Sequence, residues 1–164
     1  MILPDYLQPG LKAVFCGTAA GEQSAQTGHY YANPQNRFWQ ALYESGFTPR
    51  LLRPDEDALL AELGIGLTDV SKTGRGMDHG LKPGDFDAAL LRSKIETFQP
   101  QALAFTSKRA GREYFGVKRV AYGLQQEAIG KTAIFVLPSP SGAARGYWDI
   151  GAWKALACAV GFVA

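Results

Sequence analysis

The sequence predicts a three-layer α/β/α domain around a mainly parallel central sheet, and three observations point there. Four short runs, residues 13–16 (AVFC), 65–68 (IGLT), 102–105 (ALAF) and 133–137 (AIFVL), are continuously apolar. Strands buried on both faces read that way, whereas half-solvated strands alternate. Segments with helical spacing lie between these runs, and strands alternating with helices give parallel crossovers. At 164 residues the chain suits one domain, residues 1–164, with a core that needs neither metal nor disulfide.

After the first strand, residues 37–45 form a helix that comes after Pro34 and stops at Gly46, a residue suited to the left-handed conformation past a helix end. Residues 54–63 open with Asp55, Glu56 and Asp57, and acids favour a helix N-terminus. The second strand comes next. In residues 86–98 the apolar Phe86, Leu90, Leu91, Ile95 and Phe98 share one helical face. A helix over 108–115 separates the third and fourth strands, and 152–160 closes the chain as a helix.

Composition sets limits on function. With 46% hydrophobic and 20% charged residues the chain is globular rather than disordered. No apolar run approaches the ~20 residues of a membrane span, and Met1 to Asp5 lacks the basic start and apolar stretch of a secretory signal. A cytoplasmic protein is expected. Cys16 and Cys158 sit in apolar segments and read as core thiols before they read as a disulfide. The two cysteines and two histidines have no finger-like spacing, so no metal and no cofactor is expected. The net charge of +2 permits a nucleic-acid partner but requires any basic surface to be local.

Ligands of open parallel sheets bind beyond the carboxyl ends of the strands. Each predicted strand here runs into a small or polar segment at that end: Gly17-Thr18-Ala19-Ala20-Gly21, Asp69-Val70-Ser71-Lys72, Thr106-Ser107-Lys108-Arg109 and Pro138-Ser139-Pro140-Ser141-Gly142. Four such loops on one edge make a pocket. Gly17 and Gly21 flank a turn where backbone amides can approach a ligand, or where a strand simply turns into a helix. No Gly-Lys-Ser/Thr comes after it and the GxGxxG spacing is missing, so this is neither a phosphate loop nor a dinucleotide fingerprint. Tyr30 and Tyr31 either stack on a base or pack beneath their loop. The last loop, through Ala143, Ala144 and Arg145, either presses its backbone on a phosphodiester with Arg145 on a phosphate oxygen, or is a stiff surface turn.

Together the motifs VFCG, SAxTG (Ser24 to Gly28), ANPxNRFW (Ala32 to Trp39), GxT (Gly66 to Thr68) and LPxPSG (Leu137 to Gly142) carry a resemblance. Over about residues 11–160 the chain resembles the mismatch-specific uracil- and thymine-DNA glycosylases of the uracil-DNA glycosylase superfamily. The resemblance implies that superfamily's fold and base-flipping chemistry. It implies that Tyr31 stacks on the flipped uracil, that Ser24 lines the pocket near the C5 edge of the base, and that Gly21, with Gly17 and Thr18 beside it, brings backbone to the base. Asn36 lies in the shared ANPxNRFW element, and Ser139, Pro140, Ser141, Gly142, Ala143 and Arg145 match the loop that enters DNA and grips phosphates. Two departures stand out. Ala19-Ala20 replaces an Asn-Pro whose asparagine positions the attacking water, and Ala143 replaces a larger wedge residue, which implies a weaker hold on duplex DNA and a preference for single strands.

Cleaving a base from deoxyribose passes through an oxocarbenium-like sugar while negative charge grows on the base. It needs an anion near the sugar, a held water and donors to the base oxygen. With Ala19 inert, Asp69 is the expected catalytic group, against the alternative that it caps a turn or pairs with Lys72. Glu22, His29 and Asn33 rank lower, as do Asp78 and His79 in the glycine-punctuated stretch TGRGMDHGLKPGD. Lys72, Arg75, Lys82, Lys108 and Arg109 either touch phosphates or are solvated charges; among them Lys108, opening a helix at the pocket edge, is assigned to DNA. The expected activity is a monomeric, monofunctional glycosylase acting on DNA that contains uracil or a related lesion and leaving an abasic site. A degenerate binder of damaged or abasic DNA, and an α/β enzyme acting on a small nucleotide or nucleoside, are the alternatives.

Overall fold

The computed structural model describes residues 2–73, 86–142, 146 and 148–164. Its elements are β1 (Ala13–Gly17), α1 (Glu22–Thr27), α2 (Phe38–Ser45), a 3₁₀ helix (Pro54–Leu63), β2 (Ile65–Asp69), α3 (Ala88–Phe98), β3 (Ala102–Phe105), α4 (Lys108–Phe115), β4 (Gly123–Ile129), β5 (Thr132–Val136) and α5 (Ile150–Ala159). The five strands lie in the order β2-β1-β3-β5-β4. All neighbours are parallel except the β4–β5 pair at the edge. The expected three-layer α/β/α class with a mainly parallel sheet is what the chain forms.

Residues one apart on a strand face opposite layers, and the core divides accordingly. Ala13 and Phe15 of β1, with Ile65, Leu67 and Ala104, pack against Phe38, Leu42, Trp153 and Leu156 of α2 and α5. Val14, Cys16, Leu103, Phe105, Ile134 and Val136 face Leu91, Ile95 and Ala110 of α3 and α4. Phe15 centres the first layer, stacked on Trp153 at 5.6 Å and edge-on to Phe38 and Phe47. Such ring pairs contribute about 0.5–1.5 kcal/mol each beyond their buried area. β1, β2 and β3 are buried along their whole length, which is why their sequences carry no alternation.

Several expectations are corrected. β4, GLQQEAI, escapes sequence reading because it is a largely exposed edge strand with an irregular register, and needs neither an apolar run nor strict alternation. The short α1 has no counterpart among the expected helices. The helix over 54–63 has the bounds expected and is of the 3₁₀ kind, whereas α3 starts only at Ala88, where the Asp87 side chain accepts from the Leu90 amide at 2.9 Å. Leu90, expected on the buried face of α3, is 44% exposed; Leu91 and Ile95 are the residues that reach the sheet. Cys16 is a core thiol as expected, but Cys158 is not. On α5 the buried stripe is Trp153, Leu156, Ala157 and Val160, and a residue five positions after Trp153 faces outward.

Candidate functional site

At the carboxyl ends of β1, β2, β3 and β5 the loops enclose a cleft of about 1160 Å³. Its floor is made where β1 and β2 finish side by side, Gly17 opposite Asp69. A Cβ at Gly17 would stand 2.8 Å from Asp69 Oδ1, 3.3 Å from the Tyr31 hydroxyl and 3.7 Å from Thr106 Oγ1. Only hydrogen in place of a side chain lets these three polar groups converge. The Tyr31 hydroxyl and Thr106 Oγ1 are hydrogen-bonded at 3.0 Å, and Thr106 also donates to the Cys16 carbonyl.

Asp69 is 5% exposed. Burial raises its proton affinity, Lys72 beside it works in the opposite direction, and the net result is a carboxyl held from an ordinary 3.8 up to about 6. Lys72 Nζ lies 3.7 Å from Asp69 Oδ2, 3.1 Å from Asp5 Oδ1 and 3.0 Å from the Tyr30 hydroxyl. Asp5 also binds Lys94 and accepts from Thr68 Oγ1 at 2.7 Å. Burial pushes the Asp5 carboxyl up, but these donors outweigh it and keep the pKa below its usual value. Two acids and two lysines thus form a largely shielded network behind the floor, and Asp69 is its member that faces the cleft. Lys72 pairs with Asp69, the alternative the sequence left open, and is largely shielded by its partners rather than a solvated charge. Sequence reasoning does not find Asp5, because it reaches β2 only through tertiary pairing, the Tyr6–Leu67 bridge and the Ile2 amide on the Lys72 carbonyl.

The ANPxNRFW element shapes the side wall. Phe38 lies flat under Tyr31, ring centroids 3.8 Å apart and 16° from parallel. Trp39 Nε1 donates to the Tyr31 carbonyl, Asn36 Oδ1 accepts from the Phe38 amide, and the Arg37 amide donates to the Pro140 carbonyl. Tyr31 is held with φ +51°, a left-handed conformation that costs a non-glycine residue on the order of 1 kcal/mol. Tyr30, which is buried, and Tyr31, which is partly so, are poor acids: desolvation and the nearby Asp69 charge raise the pKa of both. They serve as hydroxyls and ring faces, not as phenolates.

Most sequence-predicted site residues meet here. Gly17, Thr18, Gly21, Ser24, Tyr31, Asn36, Asp69, Lys108, Ser139, Pro140 and Ser141 all line the cleft, as do Ala19, Glu22 and Asn33. Ser24 is buried, and its hydroxyl accepts from the Ala32 amide at 3.1 Å, so it ties the loop as well as lining it. Gly142 packs on Gln35 just behind the lining. His29 turns away to the buried Asp57 at 3.2 Å and is no part of the site. Ala143, Ala144, Arg145, Arg75, Asp78, His79 and Lys82 lie outside the described residues. Arg112 and Tyr122 also line the cleft and escape sequence reading, because one sits late on a helix and the other precedes the unrecognised β4. Among the described residues no three His, Cys, Asp or Glu side chains cluster as metal ligands, and no helix is long and apolar enough to cross a membrane.

Two comparisons accord with this geometry. Residues 4–157 match the family model described as the uracil DNA glycosylase superfamily. The fold is similar to the solution NMR structure of a candidate uracil DNA glycosylase from Methanosarcina acetivorans, with a TM-score of 0.66 over 96% of each chain and 19% sequence identity.

Proposed function

Because the chain belongs to the uracil DNA glycosylase superfamily, we propose that it is a monofunctional DNA glycosylase that extrudes uracil, or a related damaged base, and hydrolyses its bond to deoxyribose, leaving an abasic site. Within the superfamily the reading places it with the mismatch-specific glycosylases, as a divergent member. The observation that supports this most is the buried Asp69 carboxylate on the cleft floor, beside the glycine turn where a water-positioning asparagine would be expected and Ala19 stands instead.

The extruded base enters between the 18–21 turn and Tyr31. Phe38 already covers one face of the Tyr31 ring, so stacking uses the other. Backbone amides of the turn supply donors to the base oxygen as negative charge grows there. Above pH 6 Asp69 is ionised. It then holds the attacking water, takes its proton, and lowers the energy of the cationic sugar. Extrusion costs least for unpaired or mispaired bases, which makes single strands and mismatches the preferred substrates. Ser139, Pro140 and Ser141 hold the phosphates on one side, and Lys108 on the other.

Alkaline cleavage of uracil-containing single- and double-stranded oligonucleotides after incubation tests the proposal. Strand scission at the uracil, with free uracil recovered, is the expected result. DNA binding with no cleavage at any enzyme excess would leave the degenerate binder, a reading that the Ala19 methyl in the cleft specifically favours. Neither cleavage nor binding would point to a small nucleotide as substrate.

A further inference from the structure

The wall of the cleft built by α4 and the turn before β4 is unlike the others in charge. From Ser107 to Tyr122 the chain carries five cations, Lys108, Arg109, Arg112, Lys118 and Arg119, against one acid, Glu113. Since the whole chain has a net charge of only +2, much of its positive charge is gathered here. Arg109 pairs with Glu113 at 3.0 Å and lies over Phe86. Lys108 and Arg112, one helical turn apart, both line the cleft, and neither has an acidic partner among the described residues. Lys108 Nζ sits 4.3 Å from the centroid of the Tyr122 ring, which is 38% exposed and lines the same cleft. The backbone that carries the ring is held in place. Gly123 next to it takes φ +93°, and Gln125 Nε2 donates to the carbonyls on both sides, Ala121 at 2.8 Å and Gly123 at 3.0 Å.

We infer that Tyr122, Lys108 and Arg112 form a second nucleotide subsite, which takes the neighbour of the extruded base in single-stranded DNA. Tyr122 stacks on its base while the two cations hold its phosphates. A partly open aromatic ring beside cations that lack acidic partners is the combination that binds single strands without reading sequence, because every base has a π-face. A duplex fits poorly, since a base must leave its own stack to reach the ring. The inference rests on the glycosylase reading for its substrate, but the subsite itself is testable by binding alone.

The probe is a single-stranded oligonucleotide with one uracil and an abasic tetrahydrofuran spacer replacing the base on its 5′ or its 3′ side. With wild-type protein, a spacer on one side and not the other should raise KM by roughly 5- to 160-fold, the equivalent of one lost stack. Tyr122→Ala should raise KM on the unmodified strand by the same factor and then be indifferent to the spacer, the pattern expected when two changes remove one contact. Tyr122→Phe should restore wild-type KM, since the ring and not the hydroxyl is at work. Two results overturn the inference: a Tyr122→Ala enzyme with unchanged KM, or spacer and substitution effects that multiply. If the wild-type protein releases no uracil, the proposed activity fails. The same strands measured by fluorescence anisotropy then decide the subsite by Kd, with the same expected pattern and the same two overturning results. Melting curves of each variant confirm that it is folded.

Discussion

Asp69 and the group Lys108, Arg112 and Tyr122 line one cleft under opposite physical conditions. Asp69 is 5% exposed, packed against Gly17 and backed by Lys72 and Asp5. On the α4 wall the charges are only half-buried, and the ring of Tyr122 is partly open to water. Charge at the floor is therefore potent and expensive, because it is little screened. Charge at the rim is cheap to maintain and weakened by salt. Catalysis belongs to the first environment and capture of a polyanion to the second.

Asp69→Asn should produce the largest effect, lowering the rate of uracil release by on the order of 100- to 1000-fold, as loss of a preorganised stabiliser does. A loss of only a few-fold would remove Asp69 from the central role. The same substitution should stabilise the fold at pH 8 by about 1–3 kcal/mol in denaturant titrations, because an ionised carboxyl held near 6 costs the native state up to about 3 kcal/mol relative to an ordinary one. Stability and activity trade against each other at this residue. A merely structural aspartate would lose both together.

Gly17→Ala comes next. Its methyl would overlap Asp69 Oδ1 at 2.8 Å and crowd the Tyr31 hydroxyl. A displacement of about 1 Å at a reacting group is worth roughly 100-fold in rate, and kcat should carry the loss. A wild-type rate in this variant would show that the carboxylate need not lie where it does.

The pH dependence separates floor from rim in the intact protein. With the Asp69 pKa raised to about 6, uracil release should be full above pH 7 and fall with a midpoint near 6 on acidification. Stability has the opposite sign. The contribution of a group whose native pKa is raised is fully present below its unfolded value, 3.8, and is lost as pH climbs through about 6. An activity profile flat from pH 7 to pH 5 would exclude Asp69 as the ionised catalyst.

The smallest effects are expected on the α4 wall. Lys108→Ala and Arg112→Ala should each lower the slope of log Kd against log salt by about 0.7 on single-stranded DNA, as removal of one phosphate contact does. Slopes equal to wild type would take these two cations off the DNA path.

The strand cores, the loops that gather at their carboxyl ends and most of the cleft lining were legible in the chain itself, for physical reasons. A strand buried on both faces must be apolar throughout, and residues 13–16 and 102–105 are. A cleft at the edge of a parallel sheet must be built from the residues just past each strand, so Gly17, Asp69 and Ser139 could be placed without coordinates. Other features depended on long-range contacts that no local pattern records. β4 survives as a mostly exposed edge strand because β5 supplies its hydrogen bonds, and Tyr122 comes to the cleft with it. The environment of Asp69 was decided the same way. Its partner Lys72 lies only three residues on, but Asp5, which shares that lysine, comes from the N-terminus through the Tyr6–Leu67 bridge. Residue type determines which groups can ionise, but burial and neighbours determine at what pH they do so, and both belong to the folded chain.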